Sequence, residues 1–431
     1  MKKSLLLLLA ALATLVASAQ TKVEIDGIWY NLTSETQQAE VTYKGSSHDE
    51  YSYEYSGSIN LPATVTYEGV DYRVTSIGNS TVRNCTSLTA ITIPASVTSI
   101  GKSAFYWCSS LTAITIPENS QLTSIGYEAF SSCYSLTAIT IPASVTSIGG
   151  YAFYYCDNLT TVTIPENSQL TWIGDRAFSY CSSLTAITIP EGVTSIGGYA
   201  FEDCSRFTSI TIPKGVTSIG DGAFSGCSSL TAVHISDIAA WCNIEFFDNY
   251  SNPLCCAHNL YLNGELVTQL TLPEDVTSIG NYAFYSCYSL TAIDIPEGVT
   301  SIGYYAFSRC SSLTAITLPE GVTSIGTYAF EDCSSLTAIT CKAVAPPTLE
   351  NSEVFNGVNK SIPVYVPAGS IEDYKAAAYW NEFTNYADIE AGINELTGDN
   401  SQLTIYDLSG RRVEKAEKGI YIVNEVKVVI K

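Results

Sequence analysis

Between residues 74 and 341, apolar and polar positions recur in one fixed order. The stretch LTAITIPASVTSIGGYAFYYC (136–156) returns as LTAITIPEGVTSIGGYAFEDC (184–204) and LTAITLPEGVTSIGTYAFEDC (313–333). After the opening leucine the pattern alternates with period two. Ile139 and Ile141 fall on one face and threonines on the other, which predicts a short half-buried strand. Pro142 has no N–H to extend a ladder and ends it. Val145 and Ile148 form a second inward pair on another short strand. Gly149 then allows a sharp turn with positive φ. Ala152, Phe153 and Cys156, one and three residues apart, predict a single helical turn packed inward.

The closing cysteine of this unit falls at 85, 108, 133, 156, 181, 204, 227, 287, 310 and 333. The period is 23, with two steps of 25 where PENSQL replaces PEGV. Those extra residues are expected to bulge without moving their neighbours. A lone rung cannot bury its apolar side chains, whereas stacked rungs place Ile over Ile and Phe over Phe. Recurrence at a fixed period therefore predicts a repeat solenoid, mainly β with short helical turns. At ~4.8 Å per strand, ten rungs give an arc of roughly 50 Å.

The LTxIxIPxxVTSIGxxAFxxC rungs, over roughly residues 74–340, resemble the BspA-like leucine-rich repeat family of bacterial surface proteins. The resemblance implies a leucine-rich-repeat arc and a surface or adhesin-like role, and it carries no catalytic residues.

The array is interrupted once, between Ile235 and Val276. Residues 236–270 are expected to leave the solenoid, and Asn263-Gly264 predicts a hairpin turn before the chain rejoins at Leu270. The flanking segments read as caps, since an open apolar rung would aggregate. Residues 20–73 alternate as a β cap at the N-terminal end. Residues 342–392 form a mixed C-terminal cap, with a strand at Ile362–Pro367 and a short helix after Ser370, a candidate N-cap. The solenoid between them covers 74–341. Residues 393–431 form a small β tail whose YDLSGRRV, KGIYIVN and VKVVIK segments resemble, in shortened form, the C-terminal sorting segment of the Por (type IX) secretion pathway. That resemblance implies passage across an outer membrane; the four basic residues Arg411, Arg412, Lys415 and Lys418 read equally as a solvated charged face.

Residues 1–19 carry Lys2 and Lys3, an apolar run from Leu5 to Val16, and an A-x-A site at Ala17–Ala19. This is the pattern of a secretory signal peptide and is too short for a membrane span. The expectation is export to the cell surface or the extracellular space, with no transmembrane segment.

Composition narrows the function. Of 431 residues, 46% are hydrophobic and 14% charged, with 20 Lys and Arg against 42 Asp and Glu. A chain this apolar is not disordered, and one with net charge −22 and no basic cluster is not expected to bind nucleic acid. The cysteine ladder could form disulfides or bind metal, but parallel in-register side chains do not converge, and packing is the favoured reading. Cys242, Cys255, Cys256 and His258, with His234 nearby, lack a common zinc spacing; a disulfide involving Cys242 is favoured there over metal. Three histidines, no Gly-rich phosphate loop and no paired-carboxylate motif leave no enzyme chemistry to assign, so neither metal nor cofactor is expected.

Two stripes are candidates for binding. One is the outward threonine between the inward isoleucines (Thr115, Thr140, Thr163, Thr188, Thr211, Thr317), which also suits strand pairing. The other is aromatic, at the variable positions around Ala-Phe: Tyr106, Trp107, Tyr127, Tyr151, Tyr154, Tyr155, Tyr180, Tyr199, Tyr282, Tyr285, Tyr304, Tyr305 and Tyr328. Exposed aromatic residues bury area at little entropic cost, and these are the candidate binding residues. The reading is a monomeric, non-catalytic, adhesin-like protein that binds an extracellular or host protein. The alternative is a glycan-binding accessory protein of a surface enzyme system.

Overall fold

The computed structural model describes residues 20–48 and 54–389, and four short strands within 405–430. The signal-peptide reading of residues 1–19 lies outside the described residues. So does most of the sorting-segment reading, of which only backbone strands at Ile405–Asp407, Arg412–Val413, Gly419–Val423 and Val426–Ile430 are described, paired antiparallel.

The chain winds as a parallel-stranded solenoid. Each rung gives one strand such as Ala138–Thr140 and a shorter one such as Ser147–Ile148. Equivalent strands pair parallel and in register, Ile139 with Val162 and Ile148 with both Ile125 and Ile173. A one-residue slip would turn every isoleucine outward, so the buried face fixes the register.

Gly149 serves close approach rather than positive φ. A Cβ on it would sit 2.7 Å from the carbonyl carbon of Gly126, and one on Gly126 would sit 2.7 Å from that of Gly101. Positive φ falls instead two and six residues later, at Tyr151 and Tyr155, both 57°. The Ala-Phe segment is consequently a chain of tight turns, not the helical turn expected. The N–H groups of Ala152, Tyr154 and Cys156 close local turns onto Gly149, Tyr151 and Phe153. Those of Tyr151, Phe153 and Tyr155 donate to Asp175, Ala177 and Ser179 of the next rung. Half of the backbone donors thus hold the turn and half hold the stack, a division a helix could not make.

Side chains continue the ladders. Phe105, Phe130, Phe153, Phe178, Phe201 and Phe224 stack with centroids 5.1 to 5.7 Å apart. Phe284, Phe307, Phe330 and Phe355 form a second stack. Threonine hydroxyls bridge rungs on the outside: Thr194 Oγ1 donates to Thr171 O at 3.3 Å and Thr217 Oγ1 to Thr194 O at 3.2 Å. The same carbonyls accept the backbone N–H of the next rung's threonine.

Residues 236–270 do not leave the solenoid; they build one enlarged rung of it. Asp237 accepts from Ala240 N and caps a short helix, α1 (Ile238–Cys242). Glu245–Phe246 then pairs with Ser218–Ile219, which puts Phe246 in an isoleucine's place. A second short helix, α2 (Leu254–Ala257), brings Cys256 Sγ to Phe224 O at 3.5 Å. Leu260–Leu262 pairs with Val233–Ile235. Asn263 and Gly264 have φ of 52° and 87° and turn that strand back onto Glu265–Leu266. Trp241 Nε1 donates to Ala283 O at 2.8 Å and Asn252 Nδ2 to Tyr282 O at 2.8 Å, which joins this rung to the next.

At the N-terminal end, antiparallel strands Gln20–Ile25, Ile28–Thr33 and Gln38–Thr42 lead into Val70–Ile77, the first strand of the ladder. At the other end, Pro363–Val366 and Asn385–Asp388 extend the parallel sheet. Helix α3 (Ile371–Ala376) packs there, with Tyr374 donating to Ala343 O and Trp380 Nε1 to Pro347 O. Ser370 precedes α3 but its hydroxyl makes no capping bond.

Candidate functional site

The aromatic stripe lies along the turn segments, and the backbone explains its direction. Trp107, Tyr151, Tyr155, Tyr180, Tyr199, Tyr282, Tyr305 and Tyr328 all occupy left-handed positions, with φ between 54° and 60°. Glycine and asparagine reach this region more cheaply than bulky residues. Gly222 and Gly226 show the cheaper solution in one rung of the same protein. The phenols stack from rung to rung. Tyr282, Tyr305 and Tyr328 form a ladder with centroids 5.3 and 4.6 Å apart and rings within 15° of parallel. Tyr304 meets Tyr305 edge-on at 4.3 Å. In the earlier rungs Tyr155 stacks on Tyr180 at 4.5 Å, with Tyr154 edge-on to both. Trp107 and Tyr127 are exposed, and most of the others are half-buried.

One of the thirteen is misplaced by sequence reasoning. Tyr285 is 5% exposed, because the enlarged rung covers it and brings Asn249 within hydrogen-bonding reach. Burial, followed by contact with Tyr155, pushes Tyr154 up to about 12. Burial also raises Tyr282 and Tyr305. These phenols stay protonated at neutral pH and keep an O–H to donate.

The cysteines do other work. Eight of the ten ladder thiols donate to a carbonyl of the preceding rung, as Cys156 Sγ does to Phe130 O at 3.2 Å and Cys181 Sγ to Phe153 O at 3.2 Å. Cys242, where a disulfide was favoured over metal, is a thiol buried within the enlarged rung. Cys255 and Cys256 approach to 3.2 Å between sulfurs. The histidine rings are taken up in packing, His258 against Tyr288 at 4.1 Å and His234 against Tyr261 at 4.9 Å. Among the described residues no group of three or more His, Cys, Asp or Glu could hold a metal ion.

Among the described residues five further exposed aromatics lie outside the stripe, Trp172, Phe247, Tyr250, Tyr288 and Tyr379; Trp172 is 39% exposed and Phe247 61%. Trp172 was legible in principle, since it breaks a run of serines at its rung position.

The family described as "BspA type Leucine rich repeat region (6 copies)" matches residues 75–181, 171–253 and 257–382, well over half of the chain. The chain belongs to the BspA-type leucine-rich repeat family. A leucine-rich repeat protein from Bacteroides ovatus ATCC 8483 is 26% identical over 85% of this chain and 99% of its own, with TM-score 0.50. A leucine rich cell surface protein from Faecalibacterium prausnitzii A2-165 is 26% identical over 84% and 99%, with TM-score 0.40. The pneumococcal vaccine antigen PcpA is 19% identical over 85% and 98%, with TM-score 0.41. No curated protein matches the sequence. The BspA-type repeat accounts for the solenoid and its register, and it leaves open which positions bind. Among the described residues, no helix is long and apolar enough to cross a membrane.

Proposed function

We propose that this BspA-type protein is exported, displayed at the cell surface, and binds a protein ligand without catalysing a reaction. The signal-peptide pattern of residues 1–19 supports the address. The observation that carries the binding reading is the tyrosine ladder at left-handed positions, where the chain keeps Tyr282, Tyr305 and Tyr328 in place of conformationally cheaper residues. Strain retained along an aromatic surface points to a use for that surface. A ladder of rings one rung apart offers flat, rigid area flanked by phenolic O–H groups, the chemistry that dominates protein interfaces.

The test is binding of the purified chain to an array of extracellular-matrix and host-surface proteins. A saturable protein hit that weakens about tenfold or more in a Tyr305→Ser, Tyr328→Ser double variant, with unchanged melting temperature, supports the reading. The same affinity in that variant and in Tyr155→Ser, Tyr180→Ser would remove the ladder from the binding surface.

A further inference from the structure

Rungs stack in register, so a solvent-facing position that departs from its neighbours is not a demand of the fold. At the first residue of the short strand the chain places serine rung after rung: Ser99, Ser124 and Ser147 before, Ser195 and Ser218 after. Between them stands Trp172, paired with Ser147 on one side and Ser195 on the other. Its ring is 39% exposed and accepts no packing duty that serine fails to perform elsewhere. Three rung steps on, the enlarged rung contributes Phe247, 61% exposed, directly after the Phe246 that pairs with Ile219. Trp172 and Phe247 thus line one trough, about 14 Å apart along the stack. Small serines lie between them, and the open trough has a volume of about 540 Å³.

The floor and side carry polar groups. Gly197 and Gly198 leave the middle rung bare, with Asp175 and Asp221 at the rungs on either side. Asp175 Oδ1 accepts from Gly198 N at 2.8 Å, and Asp221 Oδ2 accepts from Tyr199 O–H at 2.9 Å. Each carboxylate is fixed through one oxygen and has a second to offer. Arg176 is held by an ion pair to Glu202 and lies over the Tyr199 ring at 4.1 Å. Comparable troughs recur along this edge, for example beside Asn281, Tyr304 and Glu350, but without a pair of facing aromatic walls.

We propose that the trough between Trp172 and Phe247 binds a short neutral oligosaccharide. A pyranose presents apolar C–H faces to aromatic rings and a rim of hydroxyls to charged hydrogen-bonding groups. This trough offers both in that order: two aromatic rings at its ends, two carboxylates and a guanidinium between. Its length takes a di- or trisaccharide. Asp175, Asp221 and a protein net charge of −22 disfavour an anionic glycan. The site uses other residues than the Tyr282–Tyr328 ladder, although Tyr151 and Tyr199 of the aromatic stripe stand at its side. The two readings therefore fail separately.

The experiment titrates the full chain with neutral gluco-, manno-, galacto- and xylo-oligosaccharides of two to six units, following tryptophan fluorescence and heat. Sialylated and sulfated oligosaccharides serve as charge controls. One neutral class is expected to bind saturably. Trp172→Ser, which installs the residue of the neighbouring rungs and so spares the fold, should weaken it about tenfold or more and abolish the fluorescence change. Phe247→Ala and Asp175→Asn should weaken it as well, whereas the Tyr305→Ser, Tyr328→Ser variant should bind sugar normally. Silence across the neutral panel, binding confined to the anionic controls, or affinity within about twofold in Trp172→Ser would overturn the proposal.

Discussion

A ladder cysteine is a hydrogen-bond donor in a dry place. Cys204 Sγ donates to Phe178 O at 3.2 Å, and burial is the main cause raising its thiol, as it is for the ladder cysteines from Cys108 to Cys333. Cys242 is pushed up to about 12 and Cys287 to about 11, again chiefly by burial. Unfolded thiols ionise near pH 8.5, as ordinary cysteines do. Above that pH the unfolded chain releases protons that the folded chain keeps. Stability is therefore complete below about pH 8.5 and falls as pH rises toward the folded values, by up to about 1.4 kcal/mol per unit for each thiol. Urea midpoints measured in reductant at about pH 7.5, 9 and 10 should descend steeply. Cys156→Ala with Cys204→Ala should flatten that descent while losing about 1–3 kcal/mol at neutral pH. Equal slopes in the two proteins would show that these thiols are not the titrating groups. A tyrosine at a left-handed position behaves oppositely. Tyr180→Asn relieves backbone strain while losing a ring contact, so its unfolding free energy should stay within about 1 kcal/mol of the parent.

The rung as an element shows why some positions were legible in the sequence and others were not. Its strands, its register and its phenylalanine stack follow from alternation and period alone, because every rung restates the same requirement. The role of Gly149 did not follow, since the atom that excludes a side chain there belongs to Gly126, one rung away. Alanine at Gly149 should cost about 1–3 kcal/mol, because backbone cannot yield at 2.7 Å. Alanine at Gly198, whose nearest neighbour is Asp221 O at 3.3 Å, should cost under about 1 kcal/mol. Thermal melts of the two variants separate close approach from turn conformation. The bridging threonine hydroxyls were not legible: they sit at two other rung positions, as in Thr171, Thr194 and Thr217 and in Thr208, Thr231 and Thr314, each reaching a carbonyl one rung back. The enlarged rung was illegible because Phe246 and Cys256 fill familiar places at unfamiliar spacings. Burial of Tyr285 follows from that same rung, so the one misplaced stripe residue has the same origin.

At the scale of the whole molecule, stability is close to a sum over rungs and the contacts between neighbours. Removal of residues 313–335, one complete period, rejoins equivalent positions and should leave a cooperative melt at a lowered temperature. Removal of 313–324 breaks the register and should leave no cooperative melt; circular dichroism on both proteins decides this. The trough fits the same picture, for its walls stand three rungs apart and depend on the rungs between them being present and in register. The interval of the ladder bonds has a consequence of its own. Thr98 reaches back 23 residues and Cys156 reaches back 26, so most partners lie one circuit away. A chain delivered N-terminus first through a narrow passage finds the preceding circuit already in place. Each arriving circuit can then be laid down on the last one, with no wait for the far end of the polypeptide.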